Sequence, residues 1–275
     1  MRVEPYLARV GYDGPLTPSV ETLRALHRAH LLSISYENLD IHLGRRMELD
    51  PARIYAKLVE RKRGGWCFEM NGLFAGVLRE LGFAVTMVAG TVGGARHGQG
   101  RPGNHLVLVV SLDRPWLVDV GFGDGFLEPL PLEPGSYTGH GFEFRLERDD
   151  AFWVFHNHRF GAAPSYDFQL VPVRLGDFAA RSHELATSPD SSFVQKTVCQ
   201  RFTPKGIVTL RGAVFREVTP AGATERVVTH LEEYRAILAD RFDLAVDGLA
   251  PLWRRVQQSH RAWIASMASV RSSSN

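Results

Sequence analysis

The sequence contains only two cysteines, Cys67 and Cys199, among 275 residues. Two thiols far apart in the chain make no disulfide framework and are too few for a cysteine-based zinc site. No run of about 18 apolar residues occurs, so no membrane-spanning helix is predicted. Residues 1–12 also lack the apolar core of a signal peptide. These absences together predict a cytoplasmic protein that does not associate with membranes.

An excess of charge of one sign is missing as well. The chain has 32 Lys and Arg against 30 Asp and Glu, a formal net charge of +2. That balance gives no reason to expect nucleic acid or a membrane surface as a partner. The glycine-rich segment 90–103 is not followed by Gly-Lys-Ser/Thr, which excludes a P-loop. Two histidine pairs, His27 with His30 and His156 with His158, have no further ligand nearby in the sequence, so no metal site is predicted.

The spacing of apolar residues changes along the chain. Helical spacing predicts helices over residues 20–32 and 67–81, and Asp50-Pro51 is typical of a helix start. Short β-branched and aromatic runs between turn residues then predict an antiparallel sheet or small barrel; these strands are 83–88, 106–110, 116–120, 142–148 and 152–158. The last third is mixed, with predicted strands 207–210, 213–218 and 225–228 and predicted helices 229–240 and 251–267.

Cys67 is the candidate nucleophile. It follows Arg63-Gly64-Gly65-Trp66 and stands at the start of the predicted helix 67–81. The N-terminus of a helix offers free N–H groups and the positive end of the helix dipole, and both favour a thiolate. The same N–H groups are suited to an oxyanion on a thioester carbonyl. Cys199 has no such setting and is interpreted as a buried, inert thiol.

A catalytic thiol needs a base, and the base needs an orienting group. Residues 104–110 and 116–120 form a predicted hairpin. If that hairpin is centred on Leu112, His105 faces Asp119 with Cβ atoms about 4.5–5.5 Å apart. The carboxylate then holds one ring nitrogen and leaves the other for the thiol. A slip of one residue would place the two side chains on opposite faces, so the register is the critical assumption.

These segments resemble the arylamine N-acetyltransferases. The resemblance is carried by Arg63-Gly64-Gly65-Trp66-Cys67-Phe68-Glu69-x-Asn71, by His105, by Val118-Asp119-Val120-Gly121-Phe122-Gly123, and by Ser35-Tyr36-Glu37-Asn38-Leu39. In the last segment Ser and Tyr replace the Pro and Phe of the family pattern. The likeness is specific from about residue 30 to 125. It is weaker beyond, where Ser188-Pro189 and Thr203-Pro204-x-Gly206 look similar to family segments.

The resemblance implies an α+β fold of three lobes with a triad like that of cysteine proteases. These are a helical bundle over 1–85 with the nucleophile, an antiparallel β-barrel over 86–190 with the His and Asp, and an α/β lid over 191–275. It also implies a ping-pong reaction. Acetyl-CoA acetylates Cys67, and an arylamine or arylhydrazine then accepts the acetyl group. No metal and no permanently bound cofactor is implied.

Further site residues follow from the same resemblance. Arg63 and Glu37 match a structural ion pair, for which we predict a buried bidentate contact. The expected substrate contacts are Phe122, Phe68 and Asn104, and the expected CoA contacts are Gly103, Arg96, Thr203 and Gly206.

Two other enzyme classes fit the chain order of Cys, His and acid. One is an amide synthase that takes a polyketide chain from a carrier thioester, and the other is a papain-like thiol hydrolase. The Arg-Gly-Gly-x-Cys context favours the acetyltransferase and the amide synthase. The predicted partners are acetyl-CoA and small aromatic amines. The sequence shows no coiled-coil seam, which leaves a monomer and a small homo-oligomer both open.

Overall fold

The computed structural model describes residues 1–94 and 103–273, with side chains to residue 266. The N-terminal part is helical, as predicted. Its elements are α1 (Glu4–Val10), α2 (Val20–Ser33), α3 (Leu39–His42), α4 (Pro51–Tyr55), a π-helical turn (Ala56–Glu60) and α5 (Cys67–Glu80). Side-chain caps fix two starts: Ser19 Oγ accepts a hydrogen bond from Thr22 N–H, and Asp50 Oδ1 accepts one from Arg53 N–H.

Helix α5 lies at the centre of the main hydrophobic core. Nearly all of its residues are buried, so it is covered on every side rather than along one stripe. Gly82 follows it with a φ of +88°, the left-handed conformation that commonly ends a helix. The main core extends from these helices into the following sheet without interruption.

An eight-stranded antiparallel sheet forms the nearly closed barrel that the sequence predicts. Its order is β5-β4-β3-β2-β9-β8-β7-β6. The strands are β2 (Ala84–Val92), β3 (His105–Ser111), β4 (Pro115–Val118), β5 (Leu130–Pro131), β6 (Gly135–Gly139), β7 (Phe142–Asp149), β8 (Phe152–His156) and β9 (Ser165–Val173). Strands β5, β6 and β9 have no counterpart among the predicted elements.

The β3–β4 hairpin corrects the predicted register. Val109 pairs with Leu117 and Ser111 with Pro115, so the hairpin is centred on Asp113 and not on Leu112. The turn is tighter toward β4 than expected, because Leu112 N–H bonds to Arg114 O and the Trp116 indole N–H bonds to Asp113. Pairing shifts by two residues, which preserves the face on which each side chain points.

The C-terminal part is a second, five-stranded antiparallel sheet with two helices on one face. Its strands are β1 (Tyr36–Glu37), β10 (Val198–Thr203), β11 (Gly206–Arg211), β12 (Val214–Thr219) and β13 (Gly222–Val227), and the helices are α8 (Leu231–Phe242) and α9 (Leu249–Ser273). A separate core fills the space between them. Strand β1 comes from the N-terminal part and pairs with β10.

A 3-10 turn (Leu175–Phe178) and two helices, α6 (Ala179–Thr187) and α7 (Ser192–Gln195), connect the two sheets. The predicted domain boundaries at 85/86 and 190/191 remain predictions. None of the helices in residues 1–94 and 103–273 has both the length and the hydropathy needed to cross a membrane.

Candidate active site

Cys67 is the first residue of α5, and it is 3% exposed. The first hydrogen bond within the helix is donated by Met70 N–H to Trp66 O. The amides of residues 67, 68 and 69 therefore have no partner within the helix, which leaves them available for a developing negative charge. The Cys67 Sγ atom lies 3.9 Å from Asn104 O, next to the start of β3.

His105 opens β3, and Asp119 directly follows the last residue of β4. His105 Nε2 and Asp119 Oδ2 are 2.6 Å apart, and both residues are buried. The sequence correctly predicts that they meet on one face, although through a diagonal contact rather than a direct cross-strand pair. The second ring nitrogen, Nδ1, remains for the thiol, and the His105 side chain is hydrogen-bonded to Cys67.

The electrostatics of this pair favour a charged imidazole. Burial alone lowers the pKa of His105, but the Asp119 carboxylate and Cys67 outweigh it and raise that pKa to about 10. Burial likewise raises the pKa of Asp119, yet His105 and hydrogen bonds from Asn71 and Gly121 lower it overall. The arrangement therefore holds an imidazolium between a carboxylate and a thiol.

Asn71 joins the nucleophile helix to the carboxylate. It lies one turn after Cys67, and its Nδ2 donates to Asp119 Oδ1 at 2.8 Å and to Leu106 O at 2.6 Å. Its Oδ1 accepts a hydrogen bond from Val120 N–H at 2.9 Å. The sequence motif contains Asn71 without revealing this role. Its position four residues after Cys67 places both on one helix face, which was the available signal.

A backbone contact also joins the two parts of the site. A Cβ atom at Gly121 would lie 2.7 Å from Cys67 Cα, closer than side-chain atoms approach. The Asp119 loop therefore packs directly against the start of α5. No group of three His, Cys, Asp or Glu side chains suited to a metal ion occurs in the part of the chain that the structure describes.

Comparison with known proteins identifies the family. A family profile described as N-acetyltransferase matches residues 19–250. The arylamine N-acetyltransferase of Escherichia coli K12 is 35% identical over 249 residues, 88% of each chain. This chain belongs to the arylamine N-acetyltransferase family. It is an acetyltransferase.

Two further relatives bear on chemistry. The structure of Mycobacterium marinum arylamine N-acetyltransferase in complex with CoA superposes with a TM-score of 0.84 at 30% identity, covering 94% of this chain and 99% of that one. The proansamycin X synthase of Amycolatopsis mediterranei is 31% identical over 249 residues, covering 86% of this chain and 95% of that protein.

Phe122 lies at the side of the triad in this acetyltransferase. Its ring centroid is 5.5 Å from that of His105 and 5.0 Å from that of Tyr166, and it keeps some exposure to solvent. Phe68 is different. It is fully buried between Trp66 and Phe178, so the structure places it in the core and gives the expected substrate contact no support.

The side chain of Asn104 is also occupied elsewhere. Its Oδ1 accepts from Val92 N–H at 2.7 Å and its Nδ2 donates to Val92 O at 3.1 Å, which joins the ends of β2 and β3. We therefore interpret Asn104 as a structural residue whose carbonyl faces Cys67. This corrects its expected role as a substrate-binding side chain.

The expected CoA contacts do not form one cluster in the described residues. Gly103 has a φ of +74° just before β3, and Arg96 lies outside the described residues. Thr203 O accepts a hydrogen bond from His140 Nε2, and Thr203 Oγ1 donates one to Gly206 O. A Cβ at Gly206 would lie 1.9 Å from Val218 O, so strand packing alone accounts for this glycine.

The structure brings Arg63 and Glu37 together, but not in the predicted bidentate geometry. Arg63 Nη2 contacts Glu37 Oε1 at 2.6 Å and Asp40 Oδ1 at 3.0 Å, while Arg63 Nε has no partner. Lys57 extends the network by contacting Asp40 and Glu69 at 2.9 Å. One nitrogen bridging two carboxylates explains the difference, because the guanidinium cannot turn its fork toward both.

Proposed function

We propose that this chain transfers an acetyl group from acetyl-CoA to an arylamine or arylhydrazine through an acetylated Cys67. The triad assigns the roles. Cys67 is the nucleophile, His105 carries the proton, and Asp119 orients and charges His105. The relative with bound CoA supports acetyl-CoA as the donor.

The first half-reaction forms a thioester on the enzyme. The Cys67 thiolate attacks the thioester carbonyl of acetyl-CoA, and the free amides at the start of α5 are suited to bind the oxyanion. The bond between the carbonyl carbon and the CoA sulfur then breaks. The His105 imidazolium gives its proton to the departing sulfur, which leaves acetyl-Cys67, free CoA and a neutral His105.

The second half-reaction restores the enzyme. The amine attacks the acetyl-Cys67 carbonyl, and the neutral His105 takes the proton that the amine nitrogen loses. The Cys67 thiolate leaves, and the thiolate–imidazolium pair forms again. Asp119 remains ionised throughout, because its role is to stabilise the imidazolium.

An aromatic acceptor suits the wall beside the triad. The rings of Phe122 and Tyr166 lie against His105, and Phe155 packs 5.8 Å from Phe122. Aromatic surfaces of this kind favour offset or edge contacts with a planar ligand.

The observation that carries this proposal is the 2.6 Å His105–Asp119 contact beside a cysteine at a helix N-terminus. Intact mass spectrometry after mixing with acetyl-CoA tests it. We expect a gain of one acetyl group in the wild type, none in Cys67→Ala, and its removal by an arylamine. Acetylation that survives in Cys67→Ala would refute the assignment.

The relationship to proansamycin X synthase favours one alternative, an amide synthase that takes its acyl group from a carrier-bound polyketide. The same assay separates the two. An acyl-enzyme that forms from a carrier thioester but not from acetyl-CoA would replace the acetyltransferase proposal. An acyl-enzyme from acetyl-CoA that an arylamine discharges supports it.

A further inference from the structure

A cavity of about 610 Å³ lies between the second sheet, helix α9 and the loop that connects β8 to β9. Its lining excludes Cys67, His105 and Asp119. The volume is within the usual range for small-molecule sites. We call it the cationic cavity, for the side chains described next.

Four cationic side chains line the cationic cavity: Lys196, Arg211, Arg216 and Arg255. Within the part of the chain that the structure describes, Lys196, Arg211 and Arg255 form no ion pair. Arg216 donates to Phe160 O at 3.1 Å and stands opposite Glu225 across the β12–β13 ladder. The cavity therefore presents more positive charge than its own residues neutralise.

The two carboxylates of the lining do little to balance this charge. Asp124 Oδ2 accepts from Ala162 N–H at 2.7 Å and Oδ1 from Asn157 Nδ2 at 3.3 Å, so both oxygens are engaged. Burial raises the pKa of Asp124 to about 6, although these hydrogen bonds and Arg216 oppose the shift. Glu225 is exposed on strand β13 at the edge of the second sheet.

A second cavity, of about 420 Å³, shows the contrast. It too has many arginines, but most of its cations are paired with carboxylates. Arg45 and Lys57 contact Asp40, Arg53 contacts Glu48, and Arg63 contacts Glu37. Charges matched in this way stabilise the fold and leave little field for a ligand. The cationic cavity lacks such partners.

Apolar and aromatic surface completes the lining. Phe160, Leu252, Val256 and Trp263 border the cationic cavity, and Trp263 is 49% exposed. We propose that this cavity binds a small organic anion: a phosphate or carboxylate group on an aromatic or aliphatic body. The anion contacts Arg211 and Arg255, and the body lies against the apolar side.

Titration calorimetry with 3′,5′-adenosine diphosphate tests the site, since this probe joins an aromatic ring to two phosphates. The double variant Arg211→Gln/Arg255→Gln removes two charges from the cavity. The double variant Arg254→Gln/Arg261→Gln removes two exposed charges from α9 outside the cavity and is the matched control. We expect the first to weaken binding about tenfold or more and the control to stay within about twofold.

Equal affinity in all three proteins, or no binding to the wild type at about 10 mM, would overturn the proposal. Saturating acetyl-CoA distinguishes two sources of the anion. Displacement of the probe assigns the cavity to the nucleotide end of the donor, and unchanged binding assigns it to a separate anion. Cys67 acetylation, measured on the same proteins, tests the proposed function independently of this site.

A different observation concerns His27, a fully buried residue of α2. Its Nε2 accepts a hydrogen bond from Asp119 N–H at 3.3 Å, and its Nδ1–H donates to Leu127 O at 2.9 Å. One ring therefore holds both ends of the segment 119–127, which carries Asp119, Gly121 and Phe122.

The bonding pattern requires a neutral ring, with a proton on Nδ1 only. Burial lowers the pKa of His27 to about 4, although Asp119 and the two backbone contacts oppose the shift. The ring is also fixed by packing, stacked on Phe126 at 5.6 Å and edge-on to Phe74 at 5.9 Å. We infer that His27 is a positioning residue, which holds Asp119 at the distance that charges His105. This inference rests on the proposed triad.

Glutamine is the conservative replacement, because its side chain both accepts and donates. We expect His27→Leu to slow acetylation of Cys67 about tenfold or more, and His27→Gln to recover it to within about threefold of wild type. His30→Leu is the matched control. It removes a neighbouring buried histidine that bonds to Tyr6 and not to the segment 119–127.

Thermal unfolding of each variant separates folding from positioning, and acetylation is compared per folded molecule. Equal acetylation rates in His27→Leu and His27→Gln, or a loss in His30→Leu as large as in His27→Leu, would overturn the inference. If His27→Leu does not fold, His27→Gln and His27→Met give the same comparison. Failure of the wild type to acetylate Cys67 would instead refute the triad.

Discussion

At the scale of single residues, the carboxylate of Asp119 organises the site. It accepts hydrogen bonds from the His105 ring, from Asn71 Nδ2 and from Gly121 N–H. These donors come from three different segments, so the carboxylate is held rigidly as well as kept ionised. Its charge is what allows a buried imidazole to remain protonated at neutral pH.

Replacing that charge tests the pair directly. We expect Asp119→Asn to slow alkylation of Cys67 by iodoacetamide near pH 6 by about 10²-fold, because His105 then no longer stays charged beside the thiol. Pseudo-first-order rates measured from pH 5.5 to 9 check this. A variant whose profile matches that of the wild type would contradict it.

The Arg63 network makes a prediction about stability. Removing one member of a buried ion pair leaves its partners uncompensated, which typically costs about 3–5 kcal/mol. We therefore expect Arg63→Ala to lower the free energy of unfolding by about that amount and to reduce soluble yield. Urea denaturation measures it, with the exposed Arg61→Ala as control, for which we expect less than about 0.5 kcal/mol. Equal effects would remove the structural role.

At the scale of elements, the reaction geometry depends on how closely the segment 119–127 approaches α5. Gly121 allows this approach because it has no Cβ atom. Asn71 then fastens the same segment to the helix from one turn further along. The thiol and the carboxylate thus belong to two elements that are held in fixed register.

A methyl group at this contact should separate the two elements. A Cβ at Gly121 meets Cys67 Cα and Cys67 O at 2.7 and 2.8 Å, which are backbone atoms that cannot turn aside. We expect Gly121→Ala to lower acetylation of Cys67 about 10²-fold and to destabilise the fold by about 1–3 kcal/mol. Gly176→Ala is the control, since nothing lies within 4 Å of its Cβ position. Full activity in Gly121→Ala would contradict the proposed contact.

At the scale of the whole molecule, the triad should leave a signature in the dependence of stability on pH. The folded chain keeps a proton on His105 up to a pKa of about 10, whereas the unfolded chain releases it near 6.5. The pair therefore contributes its full stability below pH 6.5, and this contribution is lost as pH rises toward 10.

Urea denaturation between pH 7 and 10 checks this window. We expect the wild type to lose more stability over this range than Asp119→Asn, in which the carboxylate that raises the His105 pKa is gone. Parallel curves for the two proteins would show that the pair does not carry the effect. Other groups that titrate in this range are common to both proteins and cancel in the comparison.

Much of the fold was predictable where the signals are local. The caps at Ser19 and Asp50, the glycine after α5 and the barrel hairpins all follow from neighbouring residues. The triad was predictable because parity along a strand survives a shift of two residues, even though the hairpin centre was wrong.

Other features depend on contacts that no local pattern encodes. The sequence does not reveal that Phe68 is enclosed by Phe178, which lies more than a hundred residues away, or that Asn104 closes onto Val92. The role of His27 is likewise visible only once Asp119 and Leu127 are placed around it. Strand β9 escaped prediction because its outer half is exposed and interrupted by Pro172.

The pairing of β1 with β10 has a consequence for synthesis on the ribosome. Asn38 Oδ1 accepts from Val198 N–H, 160 residues later, and Tyr36 pairs with Gln200. At 5–20 residues per second the emerging chain waits about 8–30 s before these partners exist. During that interval the segment that anchors Arg63 and precedes the nucleophile helix has an unpaired backbone edge. The nascent protein thus spends its longest vulnerable period with its acyl-carrying helix made but its closing strand still untranslated.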